Sequence, residues 1–476
     1  MESIIIILVL AINTALMLMI IFLERKSPSS TWAWILVLCF LPVIGFLLYL
    51  VLGRNIYHKD IFEWDTKSYM HLKSTVDRQK GAIDKGKTYK NKALNDFSEL
   101  AYLLLCDGDA PYSENNIVKP FTEGRELFKS IIEDIRSAKD HIHMVYFVLR
   151  NDKLGNRIVT ELAEKARQGV KVRVLYDAFG SRELNEKFKA RIIDAGGEIE
   201  AFFPMKFVNM NINFRNHRKL IIIDGDIGYI GGFNIGDEYI GGNPRYGDWR
   251  DTHLRMIGDA VTFIQTRFIL DWNQAATNKV DFDGYYKPND KHLGEVGVQI
   301  ISSGPDSKWE QIKNAYIKMI LSAKKYVYIQ SPYFVPDQSM LDAIKIATLS
   351  GVDIKIMIPN KPDQPFVFWA AHSYIGELLQ AGAKVYTYEN GFLHAKTVVV
   401  DDMIASVGTA NFDVRSFRLN FEVNAVIYHE EFARSLRRFF EQDIEVSKEK
   451  TIESYKKRAF IVRIKESLSR LLSPIL

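Results

Sequence analysis

The chain has 476 residues, and 47% of them are hydrophobic. This length exceeds that of one ordinary domain and is enough for two sizeable hydrophobic cores. The 62 basic and 58 acidic residues leave a formal charge of only +4, which argues against a protein that binds nucleic acid over a strongly basic surface. Two cysteines, Cys39 and Cys106, are too few for a disulfide framework or a multi-cysteine zinc site.

The first 53 residues contain two long apolar segments. One runs from about Ile4 to Leu23, and the other runs from about Trp32 to Leu52. Each has about the 20 residues that a helix needs to cross the hydrocarbon core of a bilayer. The sequence therefore predicts two transmembrane helices in residues 1–53. The first segment has neither a basic leader nor a small-residue cleavage site, which argues against a removable signal peptide.

Residues 54–120 are predicted to form a basic juxtamembrane linker. Positive charges are concentrated between Lys73 and Lys92, where anionic headgroups would attract them. A solvated linker helix is an equally good interpretation of this stretch. The excess of Lys and Arg after the second apolar segment predicts a multi-pass protein of the cell membrane whose large domain is cytoplasmic.

Helical and strand patterns alternate from residue 121 onward, and the order of elements occurs twice. The two copies are residues 121–290 and residues 291–445; for example, residues 169–172 (Gly-Val-Lys-Val) correspond to residues 351–354 (Gly-Val-Asp-Ile). The alternation predicts an α/β layered fold with a largely parallel sheet. A repeat of this size is too long for a solenoid and indicates two similar domains fused in one chain.

The tail, residues 446–476, contains a further helical pattern. Apolar residues recur at helical spacing from Ile461 to Ile475, and basic residues precede and flank them. This pattern predicts an amphipathic helix that lies on a bilayer. Docking of the same apolar stripe onto the folded domain is the alternative.

Each half contains a His-x-Lys motif that is followed by the same residues at the same offsets. Lys follows His by two positions, Asp by seven, Gly by fourteen and Asn by seventeen. Two copies that share every offset, each at the same place in a structural repeat, are far from what chance produces. The chemically active residues of the two copies are His217, Lys219, Asp224 and Asn234, and His394, Lys396, Asp401 and Asn411.

The motifs fall on predicted buried strands. Because residues i and i+2 of a strand point to the same face, each motif projects its imidazole and its ammonium group together. Asp224 and Asp401 have the opposite parity and fall in turns. For these two aspartates a catalytic role and ordinary turn chemistry are both open, and turn chemistry is favoured.

The residue types predict phosphoryl transfer. Lysine ammonium groups and asparagine amides that converge on one point can bind a phosphoryl group and its developing charge. Two histidines beside them can divide nucleophilic attack and proton transfer. The set lacks the acidic cluster that usually holds Mg²⁺ or Ca²⁺, so neither a metal nor a cofactor is expected. The symmetry of the motifs leaves open which histidine attacks.

This duplicated motif resembles that of the phospholipase D superfamily. The two apolar segments, together with residues 213–219, 231–234 and 330–334, are similar to those of the bacterial cardiolipin synthases. The resemblance covers nearly the whole chain. It implies two phospholipase-D-like α/β/α domains that form a pseudo-twofold pair, preceded by two transmembrane helices. It also implies an enzyme, a phosphatidyltransferase that converts two phosphatidylglycerols into cardiolipin and glycerol.

The same resemblance implies roles for individual residues. His217 would form the covalent phosphatidyl-histidine, and His394 would act first as an acid and then as a base. Four residues would hold the phosphate oxygens: Lys219, Lys396, Asn234 and Asn411. Two acidic residues, Asp251 and Glu422, would each orient a histidine.

The expected partners are therefore phosphatidylglycerol, cardiolipin and the bilayer, and no nucleic-acid partner is expected. The oligomeric state is left open. A hydrolytic phospholipase D and a transferase that uses another headgroup are the alternatives for the same site. A nuclease is disfavoured by the near-neutral charge, and a non-catalytic scaffold by the two intact motifs. Apolar residues before the first motif predict a lip that excludes water, with core packing as the alternative: Phe202, Phe203, Met205, Phe207, Met210 and Phe214.

Overall fold

A computed structural model describes residues 2–22, 28–49, 61–204, 213–241, 247–285 and 292–473. Its helices, in chain order, are α1 (Glu2–Phe22), α2 (Pro28–Phe40), α3 (Pro42–Leu48), α4 (Thr66–Asp84), α5 (Lys92–Asp96), α6 (Ser98–Gly108), α7 (Gly124–Ser137), α8 (Lys153–Arg167), α9 (Glu186–Ile193), α10 (Ala260–Ala275), α11 (Gln311–Ser322), α12 (Gln338–Leu349), α13 (Pro365–Ala381), α14 (Val414–Arg418), α15 (Glu430–Glu445), α16 (Ile452–Lys456) and α17 (Phe460–Leu471).

The strands follow the same repeated order. They are β1 (Tyr112–Ser113), β2 (Asn116–Phe121), β3 (His141–Tyr146), β4 (Lys171–Asp177), β5 (Glu198–Phe202), β6 (Arg215–Asn216), β7 (Lys219–Ile223), β8 (Ile227–Gly231), β9 (Trp249–Arg250), β10 (His253–Gly258), β11 (Gly297–Ser303), β12 (Tyr326–Gln330), β13 (Phe334–Val335), β14 (Asp353–Pro359), β15 (Lys384–Tyr388), β16 (Phe392–Leu393), β17 (Thr397–Val400), β18 (Ile404–Gly408), β19 (Phe412–Asp413), β20 (Asn420–Tyr428) and β21 (Ser447–Lys450).

The two large sheets have the same internal strand order. The first runs β2-β10-β8-β7-β3-β4-β5, and the second contains β11-β20-β18-β17-β12-β14-β15, with β1 beside β11 and β21 beside β15. Each strand of the first series corresponds in sequence to the strand at the same place in the second. The sequence repeat is therefore a repeat of structure, and the prediction of two similar α/β domains is confirmed.

The prediction of a largely parallel sheet was wrong, because both sheets are mixed. In the first sheet β3, β4 and β5 are parallel, whereas β7 is antiparallel to both β3 and β8. The reason lies in the turn after the motif strand, where Asp224 and Gly225 both have positive φ, at 55° and 73°. Two successive residues with positive φ form the tight hairpin turn that joins adjacent antiparallel strands.

The two domains share a central hydrophobic core. In β7, Leu220 and Ile222 face this core, whereas Ile221 and Ile223 face the outer core covered by α7 and α8. Val399 of the second sheet contributes to the same central core, together with residues of α10 and α15. This period-two alternation buries both faces of each sheet, so the domains are joined by a layer to which each contributes.

The segment predicted as a linker is partly built into this fold. Leu94, Leu100 and Leu104 of α5 and α6 are buried in the core of the second domain, and β1 pairs with β11. Residues 54–60 lie outside the described residues. We therefore propose that the catalytic unit begins before residue 121, at about α5.

The N-terminal segment forms α1, α2 and α3. Within the part of the chain that the structure describes, no helix reaches the combination of length and apolarity that a membrane span requires. The two predicted transmembrane helices are thus not confirmed; residues 23–27 and 50–53 of these segments lie outside the described ranges.

Candidate active site

The two His-x-Lys motifs lie at the junction between the domains. Two short parallel strand pairs cross this junction, β6 with the beginning of β20 and β9 with β16. Each pair continues into a motif, since the amide of His217 donates to the carbonyl of Phe421 at 2.9 Å and that of His394 donates to Arg250 at 2.7 Å. The backbone of each motif histidine is therefore attached to the opposite half of the chain.

Each histidine side chain is also held by a carboxylate from the opposite half. His217 Nδ1 lies 2.9 and 3.0 Å from the two carboxylate oxygens of Glu422, and His394 Nδ1 lies 2.6 Å from Asp251 Oδ2. Both carboxylates are fully buried. Because a carboxylate only accepts, the proton belongs on Nδ1 of each imidazole, and Nε2 is left as the nitrogen that can react.

The two motif lysines lie beside these histidines and are buried. Lys219 Nζ donates to the carbonyl of His217 at 2.6 Å, and Lys396 Nζ donates to the carbonyl of His394. Burial lowers the pKa of Lys219 to about 7 and that of Lys396 to about 8, because a low-dielectric surrounding disfavours the charged form. The charges of Glu422 and Asp251 oppose this shift.

Burial likewise lowers the pKa of His217 to about 4 and that of His394 to about 3. The charges of Glu422 and Asp251 oppose the shift, and the lysines reinforce it. Lys396 lowers the pKa of His217, and Lys219 lowers that of His394. The charged groups of both halves thus act on one shared site, in which both imidazoles are neutral at pH 7.

The two motif asparagines are buried but differ in their contacts. Asn234 donates to the hydroxyl of Tyr239 at 3.3 Å, and this hydroxyl lies 3.2 Å from His394 Nδ1. Asn411 donates to Asp413 Oδ2 at 3.2 Å. Tyr239 therefore joins the site, although neither motif nor repeat pointed to it.

A family model described as "Cardiolipin synthase, PLD-like domain" matches residues 131–244 and 316–444. The chain belongs to the cardiolipin synthase family. A second family model, "Phospholipase_D-nuclease N-terminal", matches residues 5–54. Both repeats thus match the family that the two motifs resemble.

Full-length relatives agree with this family. The cardiolipin synthase of Oceanobacillus iheyensis is 54% identical over 98% of this chain and 98% of its own length. The major cardiolipin synthase ClsA of Bacillus subtilis is 52% identical over 100% of this chain and 99% of its own. The crystal structure of phosphatidylserine synthase from Haemophilus influenzae Rd KW20 covers 79% of this chain and 100% of that one, with a TM-score of 0.63 at 16% identity; this likeness shows the shared fold alone.

The first motif of this cardiolipin synthase family member contains a buried ion pair that the sequence did not suggest. Arg218, between His217 and Lys219, is 1% exposed, and its Nη1 lies 2.7 and 2.9 Å from the carboxylate oxygens of Asp271. Its Nε donates to the carbonyl of Glu422 at 3.1 Å. Arg218 therefore joins α10 to the backbone of the strand that carries Glu422.

The predicted apolar lip is only partly described. Phe202 and Phe214 are buried in the central core, and Phe203 packs against that core. For these three residues the alternative of core packing holds. Met205, Phe207 and Met210 lie outside the described residues.

Asp224 and Asp401 do not reach the histidines. Lys219 lies opposite Tyr146 at one end of β7, whereas Asp224 follows the other end of this strand. The carboxylates of these two aspartates instead accept backbone N–H groups at 2.7 to 3.0 Å. We propose a structural role for both, as the favoured turn chemistry predicts, in place of the catalytic alternative. The donors are Lys139, Asp140 and His141 for Asp224, and Lys324, Lys325 and Tyr326 for Asp401.

Replacing Asp224 by alanine is expected to lower stability more than the activity of the molecules that remain folded. Three backbone donors lose their acceptor, and we expect a loss of about 1 to 3 kcal/mol in the free energy of unfolding. Asp226→Ala, in the exposed part of the same turn, serves as the matched control. Thermal unfolding and activity per folded molecule measure the two effects; a loss of activity without loss of stability would contradict the structural role.

Acidification is expected to destabilise the protein through the motif histidines. Their folded pKa values lie below the ordinary histidine value of about 6.5, so the unfolded chain binds more protons between about pH 4 and 6.5. The free energy of unfolding therefore falls as the pH decreases through this window, by about 3 kcal/mol for His217. The melting temperature of His217→Asn should fall less between pH 7 and 4.5 than that of the unaltered chain, and an equal fall would refute the assignment.

Proposed function

We propose that the chain transfers the phosphatidyl group of one phosphatidylglycerol to the hydroxyl of a second, which gives cardiolipin and glycerol. The chain is a phosphatidyltransferase of the cardiolipin synthase type. The observation that carries the mechanism is the crossed arrangement of two buried imidazoles, each held at Nδ1 by a carboxylate of the opposite half.

In the first step, Nε2 of His217 attacks the phosphorus of the donor lipid. The bond from phosphorus to nitrogen forms, and the bond from phosphorus to the glycerol oxygen breaks. An anionic phosphodiester beside His394 favours the charged imidazolium and raises its pKa, so His394 takes up the proton that it then gives to the departing glycerol. Glu422 balances the positive charge on the phosphorylated imidazole of His217.

In the second step, His394 acts as the base. It removes the proton from the hydroxyl of the second phosphatidylglycerol, whose oxygen attacks phosphorus while the bond to His217 breaks. Lys219 and Lys396 provide positive charge for the phosphate oxygens in both steps, and Asn234 and Asn411 are proposed to donate to them. The choice of His217 as the nucleophile follows the family resemblance, since the two halves of the site are similar.

The product assay tests this function. Phosphatidylglycerol labelled in its acyl chains and in its headgroup, supplied in mixed micelles, should give cardiolipin and free glycerol in equal amounts. Phosphatidic acid as the main product would instead assign a hydrolytic phospholipase D. No step uses a metal, so activity is expected to survive EDTA, and a strong loss that Mg²⁺ or Ca²⁺ restores would add a metal to the mechanism.

We also propose that residues 1–53 anchor the protein in the cell membrane as two spans, with the catalytic domain in the cytoplasm. The match of residues 5–54 to the phospholipase D N-terminal family supports this, and so do the apolar side chains exposed along α1 and α2, such as Phe22 and Phe40 at 70% and 78%. Release of the full chain from membranes by alkaline carbonate would contradict the anchor. The remaining proposed divisions are the connecting segment, residues 54–120, the two phospholipase-D-like repeats, residues 121–290 and 291–445, and the tail, residues 446–476. The connecting segment joins the core of the second domain from about α5 onward.

A further inference from the structure

The C-terminal helix α17 packs against the second domain with its polar side. It lies along α13, and Glu466 and Ser469 on the packed side are each 3% exposed. Glu466 accepts from Arg458 at 2.7 Å, and Arg470 donates to Glu377 of α13 at 2.5 Å. Ion pairs and small polar groups therefore hold this helix in place, in contrast to the usual apolar contact of an amphipathic helix.

The opposite side of α17 is apolar and faces outward. Its residues recur at intervals of three and four along the helix, so they form one continuous stripe. We call this surface the α17 stripe; it consists of Phe460 (77% exposed), Ile461 (58%), Ile464 (37%), Leu468 (60%) and Leu471 (77%).

The charged residues of α17 that flank the α17 stripe are basic. Arg463 and Lys465 are exposed, and their helical positions place them on the two flanks of the stripe. Glu466 is the acidic residue within α17, and it lies on the packed side. The outward surface of the helix therefore combines apolar side chains with flanking cations and presents no carboxylate of the helix itself.

The direction of α17 brings one end of the stripe towards the catalytic side of the domain. Lys465 lies over Trp369, and Arg470 lies over Tyr374, so α17 and α13 run in the same direction. The helix α13 begins two residues after Asp363, whose charge raises the pKa of Lys396. A membrane surface that contacts the start of α17 therefore also lies near Asp363, which adjoins the active site.

We propose that the α17 stripe docks onto an anionic phospholipid bilayer and holds the catalytic domain against the membrane surface. An apolar stripe with basic flanks is the pattern of helices that lie in the membrane interface, where Lys and Arg reach the headgroups while the apolar side chains enter the acyl region. The ion pair between Arg470 and Glu377 joins the helix to α13 before it meets the lipid. This inference concerns a surface and does not depend on the proposed reaction.

A fluorescent probe on the stripe tests this docking in the full chain. Cys39 and Cys106 are replaced by serine, and Leu468→Cys is labelled with an environment-sensitive fluorophore. In phosphatidylcholine vesicles that contain phosphatidylglycerol, emission should shift to the blue and be quenched by brominated acyl chains. The same label at Ile193→Cys, an exposed apolar residue of the first domain (54%), should show neither change.

The charge contribution is tested by the flanking cations. Arg463→Gln and Lys465→Gln should each lower the docked fraction of the probe, with a docking constant reduced about fivefold per removed charge. Omission of phosphatidylglycerol or addition of salt should likewise lower the docked fraction of the probe. An unchanged docked fraction in both variants and at high salt would refute the requirement for an anionic surface.

Two further results would overturn the proposal. One is a Leu468→Cys probe that remains in water in every vesicle. The other is a probe that is buried without quenching by brominated chains and with energy transfer between labelled copies, which would assign the stripe to contact with a second chain. The probe is measured in His217→Ala as well, which should dock normally although it forms no cardiolipin. Docking without cardiolipin formation in the labelled chain that keeps His217 would count against the proposed function and not against the surface.

Discussion

Alanine at either motif histidine is expected to abolish cardiolipin formation. We expect losses on the order of 10⁴- to 10⁶-fold in turnover, because His217→Ala removes the nucleophile and His394→Ala removes the group that transfers the proton in both steps. The measurement is the rate of cardiolipin formation from labelled phosphatidylglycerol. His71→Ala, at an exposed histidine of α4, is the control and should retain full activity.

A donor lipid with a good leaving group separates the roles of the two histidines. With p-nitrophenol in place of glycerol, the first step no longer needs an acid. His394→Ala should then release about one nitrophenol per site in a burst and retain a labelled phosphohistidine, since the base for the second step is missing. His217→Ala should give neither burst nor label. A burst in His217→Ala and none in His394→Ala would reverse the assignment.

The second large effect is expected from the two crossed carboxylates. Glu422→Gln and Asp251→Asn keep the size of the side chains but remove the charge that fixes the Nδ1–H tautomer of the histidine. Both carboxylates are fully buried, so water cannot replace them as acceptors. We expect losses of roughly 10²- to 10⁴-fold in turnover, with Asp226→Asn in an exposed turn as the control.

The p-nitrophenyl donor also tests the crossing itself. Glu422 acts on His217, so Glu422→Gln should slow the burst. Asp251 acts on His394, so Asp251→Asn should leave the burst nearly unchanged and slow the steady state. A general structural defect would lower both phases together, and pairing within each half would exchange the two outcomes. The split between the phases therefore distinguishes positioning from loss of structure.

Much of the site could be predicted from the sequence because its signals are local. The shared offsets identified the repeat, and the spacing of two residues predicted that each histidine lies beside its lysine. The prediction that the motifs lie within strands was wrong for the histidines, because β7 begins at Lys219 and β17 at Thr397. The same local logic favoured a turn role for Asp224 and Asp401, and the structure places both at the far end of the motif strands. The antiparallel direction of the motif strands was not predicted, because the alternation of helices and strands does not reveal the hairpin after each motif.

The tertiary structure alone decided which acid serves which histidine. His217 and Glu422 are separated by 205 positions, and His394 and Asp251 by 143. No spacing rule connects such residues, since their meeting depends on the strand pairs that cross between the domains. Periodicity likewise revealed the apolar stripe of α17 but not its direction, because which face of a helix is packed depends on partners elsewhere in the chain. Here the ion pairs with Arg458 and Glu377 turn the polar face inward.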